Sequence, residues 1–397
     1  MKRLFSFLFL LAMAGFVGRA QVADSLVARQ NTIMEARYLK SVFKVDEAID
    51  TLSTLVGAAF DEEVLAELAD CHYQNGDFEN AAGTYTMLSS LRPDNLLYKV
   101  RLAAVMYRLK AYSQAIEYGK ETMAADTIPA LMSLVGDAFN QTEKPDSALV
   151  YYKLSLEKRP QSQAVVSKVA KLYLDKKDYQ AALAAVEPYL EIVPDDFDIA
   201  PIKGLALYLT EAYEPAIEIF ERQLELGNDN YGVHYNLGQC YMLTKEPKKA
   251  EKEYLSAWQI DSSDVNLAFS IAGAKAADPF KFFELDVRPW LDKVLEMVEP
   301  DHTLMSKVHQ QYGFGYYKKL DSWDKAIEHY KEAYNYNPSL ISALSTIAYC
   351  YEQKKDYKSA IIWYEKYLKV ANPGTKGYNF AKESLDFLKG ELFMDEK

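Results

Sequence analysis

The amino-acid sequence predicts an all-α protein, a solenoid of about ten helical hairpins ending in one further helix. The first observation is an alanine that recurs at Ala48, Ala81, Ala115, Ala148, Ala182, Ala216 and Ala250 at steps of 33 or 34 residues, and again at Ala326 and Ala360. The second is a small residue twelve positions upstream: Ala36, Ala69, Ala103, Gly136, Ala170, Gly204, Gly238 and Ala348. Only the block of Ala326 is off register, with Gly313 thirteen positions upstream. The third is proline twelve positions downstream, at Pro93, Pro160, Pro194 and Pro338, where the missing N–H and the ring's clash with the preceding turn stop a helix.

Each block reads as two helices. Between the small residue and the alanine lies a short polar turn, such as Gln74-Asn75-Gly76-Asp77 or Asp175-Lys176-Lys177-Asp178, flanked by apolar positions at helical spacing. Small residues let the paired helices approach closely. Rings four after the alanine (Tyr85, Tyr152, Phe220, Tyr254, Tyr330, Tyr364) and three before it (Phe78, Tyr112, Tyr179, Tyr213, Trp323, Tyr357) fill the gaps beside them. One such hairpin leaves an apolar face uncovered, so the units must stack. The blocks are 29–61, 62–95, 96–128, 129–162, 163–196, 197–230, 231–264, 265–305, 306–340 and 341–374. No Pro/Gly/Ser-rich linker interrupts them, which predicts one continuous array. A final helix over about 376–392 carries Phe380, Leu385, Leu388 and Leu392 on one side, as a terminal cap requires.

Residues 265–305 diverge. Ala250 and Ala326 stand 76 residues apart, two periods plus eight, with no anchor alanine halfway. The segment Asp278-Pro279-Phe280-Lys281-Phe282-Phe283-Glu284-Leu285 is unusually aromatic for a turn. Phe280, Phe282 and Phe283 either pack back onto a wider gap between helices or form an exposed partner-binding loop.

Runs such as Asn236-Leu237-Gly238 with Tyr241, Ala250, Tyr254 and Ala257, or Gly76-Asp77-Phe78 with Ala81, Tyr85 and Pro93, resemble the tetratricopeptide-repeat (TPR) family. The resemblance covers roughly residues 29–374 at that family's 34-residue period. It implies a right-handed superhelix, with the first helix of each hairpin lining a concave surface where partners commonly bind. One subset of the family grips C-terminal carboxylates with lysines and asparagines there; here only Arg37, Lys40 and Lys171 are basic at those places, without matching asparagines in adjacent blocks.

The start of the chain has the plan of a secretory signal peptide: basic Lys2 and Arg3, an apolar run from Leu4 to Ala14, and small residues ending at Ala20. Cleavage is expected after Ala20, giving a periplasmic or secreted protein; the alternative is an anchor that stays uncleaved. Neither that apolar run nor any later stretch matches the roughly 20 apolar residues of a transmembrane helix. No cysteine near the cleavage site offers a lipid attachment point. Without residues 1–20, 42 basic residues face 57 acidic ones, a net charge of −15 against −12 for the whole chain. That field counts against nucleic acid as a partner, and against anionic membrane surfaces.

No residue pattern supplies catalysis. G-x-S-x-G, P-loop and dinucleotide glycine patterns are absent, and so is any H-E-x-x-H or C-x-x-C spacing, so neither an enzyme nor a cofactor or metal site is expected. Cys71, Cys240 and Cys350 each lie two residues after their block's small residue, facing the hairpin interior as small apolar groups. Blocks that far apart exceed the roughly 7 Å Cα separation a disulfide allows. His72, His234 and His309 occupy places of bulky packing residues, while His302 and His329 stand alone. The acidic cluster around Asp195, Asp196 and Asp198 lacks the glycine and glutamate of a calcium loop and suits helix capping.

Function is therefore expected on the groove-facing places of the first helices. Up to the fifth block these are mostly polar, with Asp70 and Asp137 among them. Beyond it they become Tyr208, Tyr235, Gln239, Met242, Phe269, Phe314, Tyr317 and Tyr349. Rigid rings along a concave wall suit peptide recognition, since each contributes a large contact at small entropic cost. The reading is a non-enzymatic scaffold or adaptor of the cell envelope that binds a polypeptide; the alternative is a carbohydrate-binding protein using the same rings.

Overall fold

The computed structural model describes residues 26–57, 61–124, 127–297 and 301–395, with the side chains described up to residue 391. The predicted signal peptide lies outside these residues, and so does the side chain of Leu392. Among the described residues every regular element is helical. The chain forms two compact units, one ending at Asp178 and the other beginning at Tyr179.

The first unit contains α1 (26–41), α2 (Val45–Ser53), α3 (Glu62–Gln74), α4 (Phe78–Leu91), α5 (Leu96–Arg108), α6 (Tyr112–Met123), α7 (Pro129–Gln141), α8 (Pro145–Lys158) and α9 (Gln163–Asp175). The second contains α10 (Tyr179–Leu190), α11 (Ile199–Leu209), α12 (Tyr213–Glu225), α13 (Tyr231–Leu243), α14 (Pro247–Ile260) and α15 (Val265–Ala277), then a π-helical turn at Phe283–Val287. After it come α16 (Arg288–Met297), α17 (His302–Lys319), α18 (Trp323–Tyr336), α19 (Ser342–Gln353), α20 (Tyr357–Val370) and α21 (Lys376–Asp395). Within each unit, helices next to one another in sequence pack together.

The repeated residues act as their spacing predicts. The anchor alanines, from Ala48 to Ala360, are fully buried. The ring four residues later lies over the small residue of the preceding helix: a Cβ at Gly136 would stand 2.6 Å from Tyr152, one at Gly204 2.7 Å from Phe220, and one at Gly238 2.5 Å from Tyr254. The turn inside each hairpin is equally constant. Phe43, Lys110, Glu143, Lys177, Glu211, Lys245, Asp321 and Lys355 all have positive φ, five residues before the anchor, and Gly76 holds that place in the second hairpin. The following N–H then returns to the helix, as Ala111 N–H does to the Met106 carbonyl at 2.9 Å. A left-handed conformation costs a side-chain-bearing residue about 1 kcal/mol, so Lys110→Gly should stabilise the first unit by about 0.5–1 kcal/mol, measured as a higher urea midpoint.

The eighth hairpin, α15 with α16, shows where the eight extra residues went. Ala272 and Leu291 occupy the places of the small residue and the anchor and lie nineteen apart in sequence, seven more than usual. The eighth residue is the extra one between Gly313 and Ala326, accommodated in the 18-residue helix α17. Leu291 replaces the anchor alanine and is fully buried. In place of the left-handed turn stands the segment 278–287, whose rings divide. Phe283 is 3% exposed and fills the wider gap, whereas Phe280 and Phe282 are 76% and 71% exposed. Phe283 is thus a core residue and no loop contact.

Two further expectations are corrected. On α21, Ala381, Leu385 and Leu388 form the buried stripe against α20, while Phe380, one step round the helix, is half exposed. His329 is not isolated: its Nδ1 lies 3.0 Å from Nδ1 of His309, and the His329 ring stacks on Tyr312 at a centroid distance of 4.6 Å. His234 is buried, as expected, but between two carboxylates, 2.7 Å from Glu253 and 2.5 Å from Asp229. The three cysteines are free and buried; burial raises the Cys240 and Cys350 thiols to about 12, far from a reactive thiolate.

Candidate functional site

All eight candidate residues lie in the second unit, on the first helices of its hairpins. Tyr208 is on α11, Tyr235, Gln239 and Met242 on α13, Phe269 on α15, Phe314 and Tyr317 on α17, and Tyr349 on α19. Of these helices, α11 packs on α13 as well as on its hairpin partner α12. Seven of the eight side chains are half-buried, and Phe314 is 43% exposed.

Four of the six candidate rings contact other rings. Tyr208 lies 6.1 Å from Tyr213 and Tyr317 5.8 Å from Trp323 between centroids, each pair spanning a hairpin turn. Tyr73 with Phe78 and Tyr107 with Tyr112 repeat the arrangement at 5.5 Å in the first unit. Between successive hairpins, Tyr317 meets Tyr349 edge-on at 5.8 Å. Tyr235 stacks on Tyr231 at 5.7 Å and tilts against Tyr254 at 6.1 Å. Met242 and Phe269 pack on the cores beneath. Burial pushes the Tyr208 and Tyr349 hydroxyls above the usual tyrosine range, so both are neutral at pH 7. The candidate row is therefore an aromatic surface, exposed in part, in which Tyr208, Tyr235, Tyr317 and Tyr349 are held by neighbouring rings and Phe314 is the most exposed. Lys318, with Nζ 4.6 Å from the Tyr317 centroid, is a cation at its edge that the pattern of groove positions did not include.

The corresponding places in the first unit are occupied differently. Arg37 and Lys40 both bond Glu67 at 2.6 Å. Asp137 receives the Tyr152 hydroxyl at 2.6 Å and Lys168 at 2.8 Å, and Asp70 receives the Tyr85 hydroxyl. These polar groups tie one helix to the next. Asp196 accepts the backbone N–H groups of Asp198 and Ile199 at 2.9 and 2.8 Å at the start of α11, while Asp195 pairs with Arg222 at 3.1 Å. Among the described residues no group of three or more His, Cys, Asp or Glu side chains is placed to hold a metal ion.

Stacked two-helix units joined by a conserved turn geometry, with a ring seated over a small residue, define an α-solenoid of tetratricopeptide type. Comparison with known proteins agrees: tetratricopeptide-repeat families match residues 67–127 and 168–231, 207–268, and 341–372, so the chain carries these repeats. It is 24% identical over 220 residues to tetratricopeptide repeat protein 21A of Mus musculus, covering 55% of this chain and 15% of that protein. It is 26% identical over 204 residues to a TPR repeat-containing protein of Methanocaldococcus jannaschii, covering 49% of this chain and 35% of that one. The chain thus spans about a third or less of these relatives. The C-terminal part of a TPR repeat-containing protein from Cytophaga hutchinsonii has the same fold, with a TM-score of 0.50, 19% identity, and coverage of 62% of this chain and 98% of that one.

Proposed function

We propose that this protein is a non-enzymatic scaffold or adaptor of the bacterial cell envelope that holds another polypeptide on the first-helix surface of its second unit. The observation that carries this is the row from Tyr208 to Tyr349, where four tyrosine rings fixed by neighbouring rings remain in part exposed. Such rings bind an extended or helical segment without first being ordered, which removes part of the entropic cost of association. The location rests on the basic, apolar and small-residue order of residues 1–20, which directs the mature chain to the periplasm or beyond.

The test is affinity capture from envelope extract with the mature chain, from residue 21, against its Tyr208→Ala/Tyr235→Ala/Phe314→Ala variant. Truncating central aromatic anchors costs about 2 kcal/mol each. Capture of a specific protein should therefore fall by at least about a hundredfold, with the variant keeping its helical circular dichroism. Undiminished capture would remove the partner from this surface, and retention of glycans alone would replace a polypeptide partner with a carbohydrate.

A further inference from the structure

The segment between α15 and α16 carries a feature that the aromatic row does not use. Phe280, Phe282 and Leu285 are 76%, 71% and 77% exposed, and together with Lys319 and Leu320 they border one open cleft of about 720 Å³. Adjacent Phe283 is buried, so this short stretch sends one ring inward and three large apolar side chains into solvent. Exposed apolar groups that share one face mark a surface for another phase or molecule.

The N–H groups beside the two exposed rings are already bonded within the segment. Asp278, itself 1% exposed, accepts the Phe280 N–H at 2.9 Å. Asp286 accepts the Phe282 N–H at 2.8 Å and returns its own N–H to the Phe282 carbonyl at 2.8 Å. An apolar medium demands this, because an unpaired N–H there has no water to bond. Three nearby carboxylates are engaged in ion pairs: Glu246 with Lys249 at 2.6 Å, Glu251 with Lys275 and Lys281 at 2.5 and 3.1 Å, and Glu284 with Arg288 at 2.7 Å. Lys245, Lys248 and Lys319 form no salt bridge among the described residues; Lys245 and Lys248 border a cleft with Phe280, Lys248 Nζ sits 4.5 Å from the Phe280 centroid, and Lys319 donates to the Lys281 carbonyl at 3.4 Å.

We infer that the 278–287 segment is a membrane-surface wedge: Phe280, Phe282 and Leu285 enter the interface of an anionic bilayer while Lys245, Lys248 and Lys319 face its headgroups. The mature chain's net charge of −15 repels an anionic surface at a distance but does not oppose this at contact, since charges beyond a Debye length of about 10 Å are screened and the local cations decide. Apolar insertion and headgroup attraction act together here, each weak alone. This inference is independent of the polypeptide partner.

The test is co-sedimentation of the full mature chain with vesicles of phosphatidylcholine, alone or with roughly one-third phosphatidylglycerol. Binding should appear on the anionic vesicles, and raising the salt to about 0.5 M should weaken it. Phe280→Ser/Phe282→Ser/Leu285→Ser should reduce the bound fraction at least about tenfold. Lys245→Gln/Lys248→Gln/Lys319→Gln should remove the preference for anionic vesicles. Both variants alter exposed side chains, and unchanged circular dichroism and urea midpoint confirm that they remain folded. Absence of binding to anionic vesicles, or binding that survives the apolar triple change, overturns the inference, as does finding an acidic protein segment on this loop with no vesicle association.

Discussion

Phe283→Ala should destabilise the protein by about 3–5 kcal/mol, whereas Phe280→Ala or Phe282→Ala should change stability by no more than about 0.5 kcal/mol. Phe283 meets Tyr312 and Tyr316 edge-on, at centroid distances of 6.2 and 5.2 Å. It also lies against the backbone of α17 at Gly315, where an added Cβ would stand 2.1 Å from the ring. Removing the ring leaves a cavity between α15, α16 and α17 that rigid helices close only in part. Gly315→Ala should by itself cost about 1–3 kcal/mol, because the displaced ring has no free volume to enter. The two changes share one space, so the double variant should be more stable than the summed costs imply by at least about 1 kcal/mol. Urea unfolding followed by tryptophan fluorescence checks this, since Trp290 and Trp323 pack on the same core. A solenoid unfolds in nearest-neighbour steps, and this local probe reports the affected step. Equal costs for Phe283→Ala and Phe282→Ala would contradict the inward placement of Phe283.

The hairpins were legible because each anchor alanine meets the same steric demand, so the 34-residue step is written directly in residue size. The excess of eight residues between Ala250 and Ala326 was legible too, but its division was not. Leu291 takes the anchor's place without being small, so nothing in residue size marks where α16 begins. Directions within 278–287 were equally hidden, since a segment without helical or strand period has no face to read. Hydrogen bonds from Phe280 and Phe282 N–H to Asp278 and Asp286 accompany the outward course of those two rings. In the candidate row, the places of Tyr208 and Tyr317 followed from spacing. Their ring partners Tyr213 and Trp323 were visible only as separate positions, because the turn that joins them depends on a left-handed residue whose identity varies from Phe43 to Lys355. His329 looked isolated for a related reason: its partner His309 is twenty residues away on the facing helix.

That histidine pair should make the second unit acid-sensitive well above the carboxylate range. With the two Nδ1 atoms 3.0 Å apart, one imidazole donates and the other accepts, an arrangement open only to a neutral or singly protonated pair. Rings of Tyr312, Tyr316 and Tyr336 stack around it and leave both imidazoles half-buried. Burial, followed by His309, Lys325 and Arg288, lowers His329 to about 4, against the weaker opposing pull of Asp292. Burial lowers His309 as well, opposed by Glu332 and Glu328. In the unfolded chain both imidazoles titrate near 6.5. Between about 6.5 and 4 the unfolded state therefore binds more protons, so the stabilisation is complete above that window and is lost as pH falls through it. Allowing for partial exposure, the loss from His329 should be about 2 kcal/mol. His309→Phe/His329→Phe retains the stacking area without titratable nitrogens, so its urea midpoint should stay flat from pH 7 to 5 while that of the unaltered protein declines. The lowered carboxylates, Asp61, Asp261, Asp356 and Glu365 among them, lose their contribution only at lower pH, so a parallel decline of both proteins between pH 7 and 5 would show that the histidine pair is not its cause.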